Sequence, residues 1–332
     1  MKVALICPSN MLYMPYVENY TNILNETGTD YNIINWDRFK IEKESEFTYK
    51  DFKVRHQRNF FDYFKYSRFV LNILKKHNYD KIIVFGIQLV FFINKYLIKH
   101  YRDNYVIDIR DYNRIINFFD IKKAIDNSTF TVLSSPRYKH WLPTCNNYVE
   151  NHTTKIDSLD ELKEIQPFYL SNCNKISVGS IGSLRDIRIN LEFIQSLKDS
   201  KIIQLNFHGE GDNDNYILRY LSEHDIENVN LTGRYTRDEE ESLYSKNEII
   251  NVLRYNDGIN NKTALPNKLY NSAIYGKPML AFEGTYLAEI IKKYNLGIVV
   301  DSFDNIEKKI IDYIKNINLS FMKMEEIYFL IQ

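Results

Sequence analysis

Short apolar runs alternate with longer stretches of helical period, twice over, and this alternation leaves the chain few folds to choose from. In the first half the strand-like runs are 3–7, 31–36, 81–85, 105–109 and 130–133, and helical patterns lie at 16–25, 60–76, 88–100 and 115–126. In the second half runs at 176–181, 202–207, 229–232, 248–253, 279–282 and 297–300 alternate with helical patterns near 187–196, 213–222, 238–245, 266–275, 286–294 and 305–316. A strand that returns to its sheet through a helix returns parallel, so two parallel sheets covered by helices are expected. Active groups of such sheets lie at the carboxyl ends of the strands. In the first half that rule points to Pro8-Ser9-Asn10, Gly86, Arg110-Asp111-Tyr112 and Ser134-Ser135-Pro136.

The periodic signal fades from 151 to 173, where Thr153, Thr154, Asp157 and Ser158 are turn and cap formers ahead of a short acidic helical piece. The expected organisation is an α/β chain of two doubly wound, Rossmann-like domains, 1–152 and 174–318, with a linker over 153–173 and a last helical pattern over 319–332. A length of 332 residues is long for one core and comfortable for two. The 43 basic residues equal the 43 acidic ones, so no whole-chain field argues for nucleic acid. Cys7, Cys145 and Cys173 have neither metal-binding nor CxxC spacing, which suits a reducing cytoplasm. The run 3–7, stopped by Pro8, is too short for a signal core or a membrane span. The apolar stretch 82–98 is interrupted by Gln88, Asn94 and Lys95 and reads as a strand and a helix. A cytoplasmic protein is expected.

The densest motif is Ala264-Leu265-Pro266-Asn267-Lys268-Leu269-Tyr270-Asn271-Ser272-Ala273-Ile274-Tyr275-Gly276-Lys277-Pro278. Pro266 suits a first helical turn, Gly276 the left-handed position just past a helix end, and Pro278 forbids continuation. Leu269, Tyr270, Ala273 and Ile274 form one apolar stripe, and Lys268 and Asn271, three apart, are neighbours on another face. A lysine among the free N–H groups of a first turn makes an anion site. A surface helix with a solvated lysine fits the same letters.

Leu265-Pro266-Asn267-Lys268-Leu269-Tyr270, closed by Gly276-Lys277-Pro278, resembles the donor-site signature of bacterial glycosyltransferases of family four. The resemblance covers most of the chain and is best from about 175 to 301. It implies the GT-B fold, two Rossmann-like domains facing across a cleft, with the final helix crossing back onto the first. The nucleotide sugar would bind mainly in the second domain and the acceptor in the first. It further implies a retaining hexosyltransferase with no cofactor beyond the nucleotide-diphosphate sugar. The acceptor it implies is a lipid-linked glycan of bacterial capsule, O-antigen or exopolysaccharide.

Arg185, Lys268 and Asp111 are the expected catalytic groups. Gly182 ends a strand and permits close approach of a ligand, and Arg185 can hold two phosphate oxygens, with Arg188 a turn further on. The resemblance implies a diphosphate-binding cation here; a plain strand–helix turn is the other reading. His208-Gly209-Glu210-Gly211 lacks the third glycine of a dinucleotide fingerprint, so its glycines read as structural and His208 as a satisfied side chain. Arg234 and Tyr235 end another strand where the resemblance places the nucleobase, and either can stack on it; a solvated turn explains them equally. Asn267 and Asn271 complete the donor set with Gly284 and Thr285, whose helix start offers a second phosphate site or only an ordinary cap.

The family usually has a ribose-binding glutamate where Asn271 stands, and often another where Thr263 stands. An asparagine can still hydrogen-bond a diol, without the charge. That departure keeps a non-catalytic, glycosyltransferase-like partner subunit in play, and more distantly a sugar-nucleotide epimerase. In the first domain Asn10 and Arg110 are expected to bind the acceptor and Asp111 to orient its hydroxyl; a buried Arg–Asp pair is the competing reading. No HExxH, paired-cysteine or Asp-x-Asp motif falls at an expected site, so diphosphate binding without a metal is expected.

The segment 38–78 carries eleven Lys or Arg against five acidic residues, with Phe60, Phe61, Phe64 and Phe69 interleaved. Such a piece can lie on an anionic bilayer at the inner face of the plasma membrane, or pack as a half-buried helix with a solvated basic face.

Overall fold

The computed structural model describes residues 1–151, 175–184, 186–211 and 214–317, together with Met322 and Phe329. Arg185, the expected linker 153–173 and, apart from those two residues, the terminal pattern 319–332 lie outside the described residues. The chain divides into two compact units, Met1–His152 and Thr153–Gln332.

The first unit holds seven parallel strands, β1 (Lys2–Cys7), β2 (Asp30–Asp37), β3 (Thr48–Lys50), β4 (Lys81–Phe85), β5 (Tyr105–Ile109), β6 (Phe130–Leu133) and β7 (Tyr148–Glu150). Their spatial order is β3-β2-β1-β4-β5-β6-β7. The helices are α1 (Val17–Glu26), α2 (Phe60–Lys76), α3 (Ile87–His100) and α4 (Ile121–Asp126). Ala4, Leu5, Ile6 and Cys7 are fully buried, the unbroken apolar run of a strand covered on both faces. Two edge strands, β3 and β7, escape the sequence reading because three residues are too few to show a period.

The expected helix 115–126 is split. Arg114–Phe118 is a 3₁₀ turn, and α4 starts only at Ile121 because the Asp120 carboxylate accepts the Lys123 N–H at 2.9 Å. A capping side chain inside a helical pattern competes for the backbone and restarts the helix.

The second unit repeats the plan. Its strands are β8 (Ile176–Ile181), β9 (Ile203–His208), β10 (Val229–Gly233), β11 (Ile249–Asn251), β12 (Met279–Phe282) and β13 (Gly297–Val300), all parallel, ordered β10-β9-β8-β11-β12-β13. Its helices are α5 (Ile187–Leu197), α6 (Asp214–Glu223), α7 (Glu240–Ser245), α8 (Ile259–Thr263), α9 (Asn267–Ile274), α10 (Tyr286–Lys293) and α11 (Ile306–Asn316). One face of the sheet buries Phe193, Leu205 and Ile310, the other Tyr244, Leu269 and Ile291. Phe329, from the terminal pattern, stacks on Tyr270 at 5.5 Å and so joins this second core. Strand β11 stops earlier than expected, at Asn251, whose Oδ1 accepts the Leu253 N–H at 2.9 Å.

Each sheet starts with a central strand, winds outward to one edge, then returns to the other side of that strand. Ligands of such sheets bind at the carboxyl ends beside the reversal, which lies between β1 and β4 in one unit and between β8 and β11 in the other.

Candidate functional site

In the second unit the carboxyl ends of β8 and β9 are pressed together. Gly182, with φ +110°, donates its N–H to the His208 carbonyl at 2.8 Å. Gly209, with φ +131°, donates to the Gly233 carbonyl at 2.9 Å, and a Cβ there would stand 2.1 Å from the Gly182 oxygen. A Cβ on Gly211 would stand 2.4 Å from the Leu184 oxygen. The Gly-x-Gly pair is therefore what lets two loop backbones pass, a packing role that needs no ligand.

Helix α9 brings Lys268 to this point. A Cβ on Gly182 would lie 3.5 Å from the Lys268 Cε and 3.9 Å from the Tyr235 Oη. Three segments distant in sequence thus converge on Gly182: the end of β8, the first turn of α9 and the loop after β10. Pro266 is the N-cap of α9, at φ −78° and ψ 153°, rather than a first-turn residue; its fixed φ suits an extended cap as well. The other end is closed as expected. Gly276 takes φ +60°, Lys277 N–H donates to the Ser272 carbonyl at 2.8 Å, and Gly276 N–H to that of Ala273 at 3.3 Å. Leu269, Tyr270, Ser272 and Ala273 are buried, which leaves Lys268 and Asn271 half-buried on the remaining face.

Asn271 donates from Nδ2 to the Glu240 Oε1 at 2.9 Å. Glu240 opens α7 and restores a carboxylate next to the position where the sequence lacks one. Nothing in residue spacing marks it, since the two are joined only by the fold. Thr263 instead donates to the Ile259 carbonyl at 2.7 Å, within its own helix. Burial, then the charge of Glu240, pushes the Tyr235 phenol up to about 12, so its hydroxyl keeps its proton at neutral pH.

The remaining donor-side residues are engaged elsewhere. Arg188 pairs with Glu192 at 3.1 Å and lies 4.9 Å over the Tyr255 ring. Arg234 Nε donates to Glu210 at 2.8 Å. Asn267 is the exposed first residue of α9. A Cβ on Gly284 would stand 2.3 Å from the Asn256 Nδ2. Thr285 accepts the Ala288 N–H at 3.1 Å and donates to the Phe282 carbonyl at 3.3 Å, so helix capping occupies its hydroxyl.

His208 is buried between two neighbours, Thr232 Oγ1 at 3.0 Å from Nδ1 and Asn247 Nδ2 at 3.1 Å from Nε2. An amide N–H₂ can only donate, so Nε2 accepts and Nδ1–H donates to Thr232. Asn247 also accepts from Asn206 at 2.9 Å, and a Cβ on Gly179 would meet it at 2.4 Å. Burial first, then Lys246, lowers the His208 pKa below the usual 6.5. The unfolded chain then binds a proton near pH 6.5 that the folded chain takes up only at lower pH. The stability this neutral imidazole contributes is full above 6.5 and is lost as pH falls through its folded value. Urea denaturation between pH 7.5 and 5, at unit steps of about a half, is expected to show a steeper loss for the parent than for His208→Gln. Parallel curves would remove His208 as the cause.

In the first unit the expected acceptor residues are built into the fold. Asp108, fully buried, is held by Arg110 through Nε at 2.6 Å and Nη2 at 2.7 Å, and by the Tyr20 hydroxyl at 2.5 Å. The guanidinium lies 4.3 Å over the Tyr16 ring. Burial works against the Arg110 charge, and Asp108 more than restores it. The buried Arg–Asp pair is thus Arg110 with Asp108, and Asp111 is exposed. Asn10 is fully buried, donates to Asp37 at 2.7 Å and accepts the Arg38 N–H at 2.9 Å, tying the loop after β1 to the end of β2. Among the described residues no group of three or more His, Cys, Asp or Glu is placed to hold a metal, and no helix is long and apolar enough to cross a membrane.

No protein-family model matches the chain, and no curated protein does. Solved structures do match. Sucrose-phosphate synthase from Thermosynechococcus elongatus superimposes with a TM-score of 0.70 over 98% of this chain and 92% of its own, at 12% identity. WaaG, a glycosyltransferase involved in lipopolysaccharide biosynthesis, gives 0.67 over 99% and 95%, at 11%. Anabaena HepE, in complex with UDP and glucose, gives 0.65 over 99% and 94%, also at 11%. With two all-parallel α/β units, this chain has the GT-B fold those glycosyltransferases share.

Proposed function

We propose that the chain is a retaining glycosyltransferase that moves a hexosyl group from a nucleotide-diphosphate sugar to a lipid-linked bacterial surface glycan. The observation that carries this reading is the meeting of Lys268, Gly182 and Tyr235 at the carboxyl end of β8, on a fold shared with glycosyltransferases. Lys268 neutralises the diphosphate as it departs, and Gly182 leaves its oxygens room to reach the backbone. Arg185, assigned from its sequence position, adds a second cation. Asn271 and Glu240 together give the ribose diol an amide and a charged acceptor. Tyr235 flanks the base. In the transfer itself the bond from the anomeric carbon to the diphosphate oxygen breaks, and the acceptor oxygen bonds to the same face. The acceptor's proton passes to the departing phosphate oxygen.

The solved neighbours lend this reading support. HepE was captured with UDP and glucose, starch synthase IV from Arabidopsis thaliana with ADP and acarbose, and WaaG is a glycosyltransferase involved in lipopolysaccharide biosynthesis. A panel of UDP-, GDP- and ADP-sugars with glycan acceptors is the direct test, with transfer from one donor class as the expected result. Nucleotide binding without transfer from any donor would favour the second reading, a glycosyltransferase-like binding subunit, which the absence of carboxylates at Thr263 and Asn271 recommends.

Transfer is expected to proceed without a divalent metal, because side-chain cations neutralise the diphosphate. The rate in excess EDTA should stay within about twofold of the untreated rate, far less than the tenfold that 1.4 kcal/mol would produce. Loss of activity in EDTA, restored by a divalent ion, would overturn the assignment.

A further inference from the structure

Five of the eleven basic side chains of the 38–78 segment are held by partners within the first unit. Arg38 is buried, its guanidinium 4.5 Å over the Trp36 ring and donating to the His56 carbonyl at 2.9 Å. Arg58 is held by Asp51 at 2.8 Å with no exposed side-chain surface. Lys53 pairs with Asp62, Lys50 with Glu44 and Lys76 with Glu46. Neither buried arginine can meet a surface.

What stays in solvent is a different feature. Phe60, Phe61 and Phe64 are exposed on α2, with Phe61 at 70%. Phe60 lies 4.8 Å from Phe92 of α3, Phe92 lies 4.9 Å from Phe91, and Phe91 lies 5.5 Å from Phe119. Next to Phe119, Phe118 stands 76% exposed at the end of the 3₁₀ turn after β5. The Lys53–Asp62 pair at 2.5 Å ties the 52–54 segment to the first turn of α2, and Phe52 in that segment is 100% exposed. A row of contacting rings therefore runs from Phe61 and Phe60 of α2 through the half-buried Phe92 and Phe91 of α3 to Phe119, with the exposed Phe52 and Phe118 beside its two ends in the chain. Isolated exposed rings need no explanation, but a connected band of them marks an interaction surface.

The charge around the band is mostly positive, with Asp120, next to Phe119, the exposed acid beside it among the described residues. Lys65 and Arg68, four and seven positions after Phe61, share its face of α2, and Lys95 and Lys99 are exposed on α3. Helix α3 contains no acidic residue. The one acid of α2, Asp62, is tied to Lys53 and to the Asn59 N–H at 2.9 Å.

We propose that this band is a docking surface for an anionic phospholipid bilayer. The phenylalanines enter the boundary between headgroups and acyl chains, and the lysines and arginine stay among the phosphates. The positive excess of the rim, Lys65, Arg68, Lys95 and Lys99 against Asp120, selects that occupant, since a lipid surface supplies negative charge wherever the protein settles. This surface is independent of the donor site, so its failure would leave the proposed transfer untouched.

Flotation with phosphatidylcholine vesicles, with and without about a third phosphatidylglycerol, tests it on the full chain. Binding is expected only to the anionic vesicles, and is expected to fall on raising salt from about 0.1 to about 1 M as the Debye length contracts. The Phe61→Ser/Phe118→Ser variant should lose at least about a hundredfold in vesicle affinity, as removal of two rings from an apolar phase requires. Lys65→Glu/Arg68→Glu should abolish the preference for anionic lipid. All four side chains are exposed, so unchanged thermal unfolding and unchanged nucleotide affinity are expected for both variants. A parent that ignores anionic vesicles, or variants that bind like the parent, would overturn the proposal. So would light scattering that shows dimers dissociated by Phe61→Ser/Phe118→Ser.

Discussion

Lys268→Ala is expected to cut transfer by about 10²–10³-fold and to weaken nucleotide-diphosphate binding by about 1.5–3 kcal/mol, with the fold intact. The fold should survive because α9 does not depend on this side chain. Leu269, Tyr270, Ser272 and Ala273 supply the buried face, and the Gly276 closure holds the far end. Alanine is also the better helix former. The function should not survive, because the Lys268 side chain reaches Gly182, its Cε 3.5 Å from where a Cβ there would stand, at the proposed diphosphate site. Its contribution grows as negative charge develops on the leaving group, so the rate should fall further than the affinity. Calorimetric titration with UDP, GDP and ADP, next to initial rates, measures both. Lys75→Ala, which changes an exposed lysine at the end of α2, is the control. Equal affinities for Lys268→Ala and the parent would remove Lys268 from the donor site.

The central strands were legible because burial on both faces writes itself as an unbroken apolar run, as in β1 and β4. The edge strands β3 and β7 and the five-residue α8 were not, because none is long enough to show a period. The split of the 115–126 pattern hung on Asp120, whose capping power a periodicity reading counts only as one more polar letter. At the candidate site, the strand-end rule and the motif at 264–278 located Gly182 and Lys268 separately. That they meet is a fact of the fold. Glu240 was illegible for the same reason, and so was Asn247, which fills the space a side chain on Gly179 would need. For Arg110 the sequence left a buried Arg–Asp pair as the competing reading, without saying which of its two neighbouring aspartates would join it. The fold pairs it with Asp108, since side chains two apart in extended backbone point the same way. In the aromatic band, Phe91 and Phe92 read only as part of the apolar stretch 82–98, and tertiary packing alone shows them, half-buried, in contact with the exposed Phe60 of α2.

Arg110→Ala is expected to destabilise the first unit by about 3–5 kcal/mol, the effect of leaving a buried charge without its partner. Asp108 has no exposed surface, and the substitution would leave it only the Tyr20 hydroxyl. That phenol is a poor substitute for a cation. Burial, then the charge of Asp108, holds its pKa far above the ordinary value, so it can donate one hydrogen bond but cannot neutralise the carboxylate. Arg110→Lys should recover a minority of the loss, because an ammonium cannot reproduce the two-pronged contact through Nε and Nη2 or the stacking on Tyr16. Arg110→Met/Asp108→Asn should recover more, since it removes both charges and keeps most of the volume. Urea denaturation of the four proteins, followed by fluorescence, gives the series. Parent-like stability for Arg110→Ala, joined to a collapse of transfer, would reverse the assignment. The guanidinium would then serve the acceptor rather than the fold, and Asp108 would have to be stabilised by its backbone surroundings.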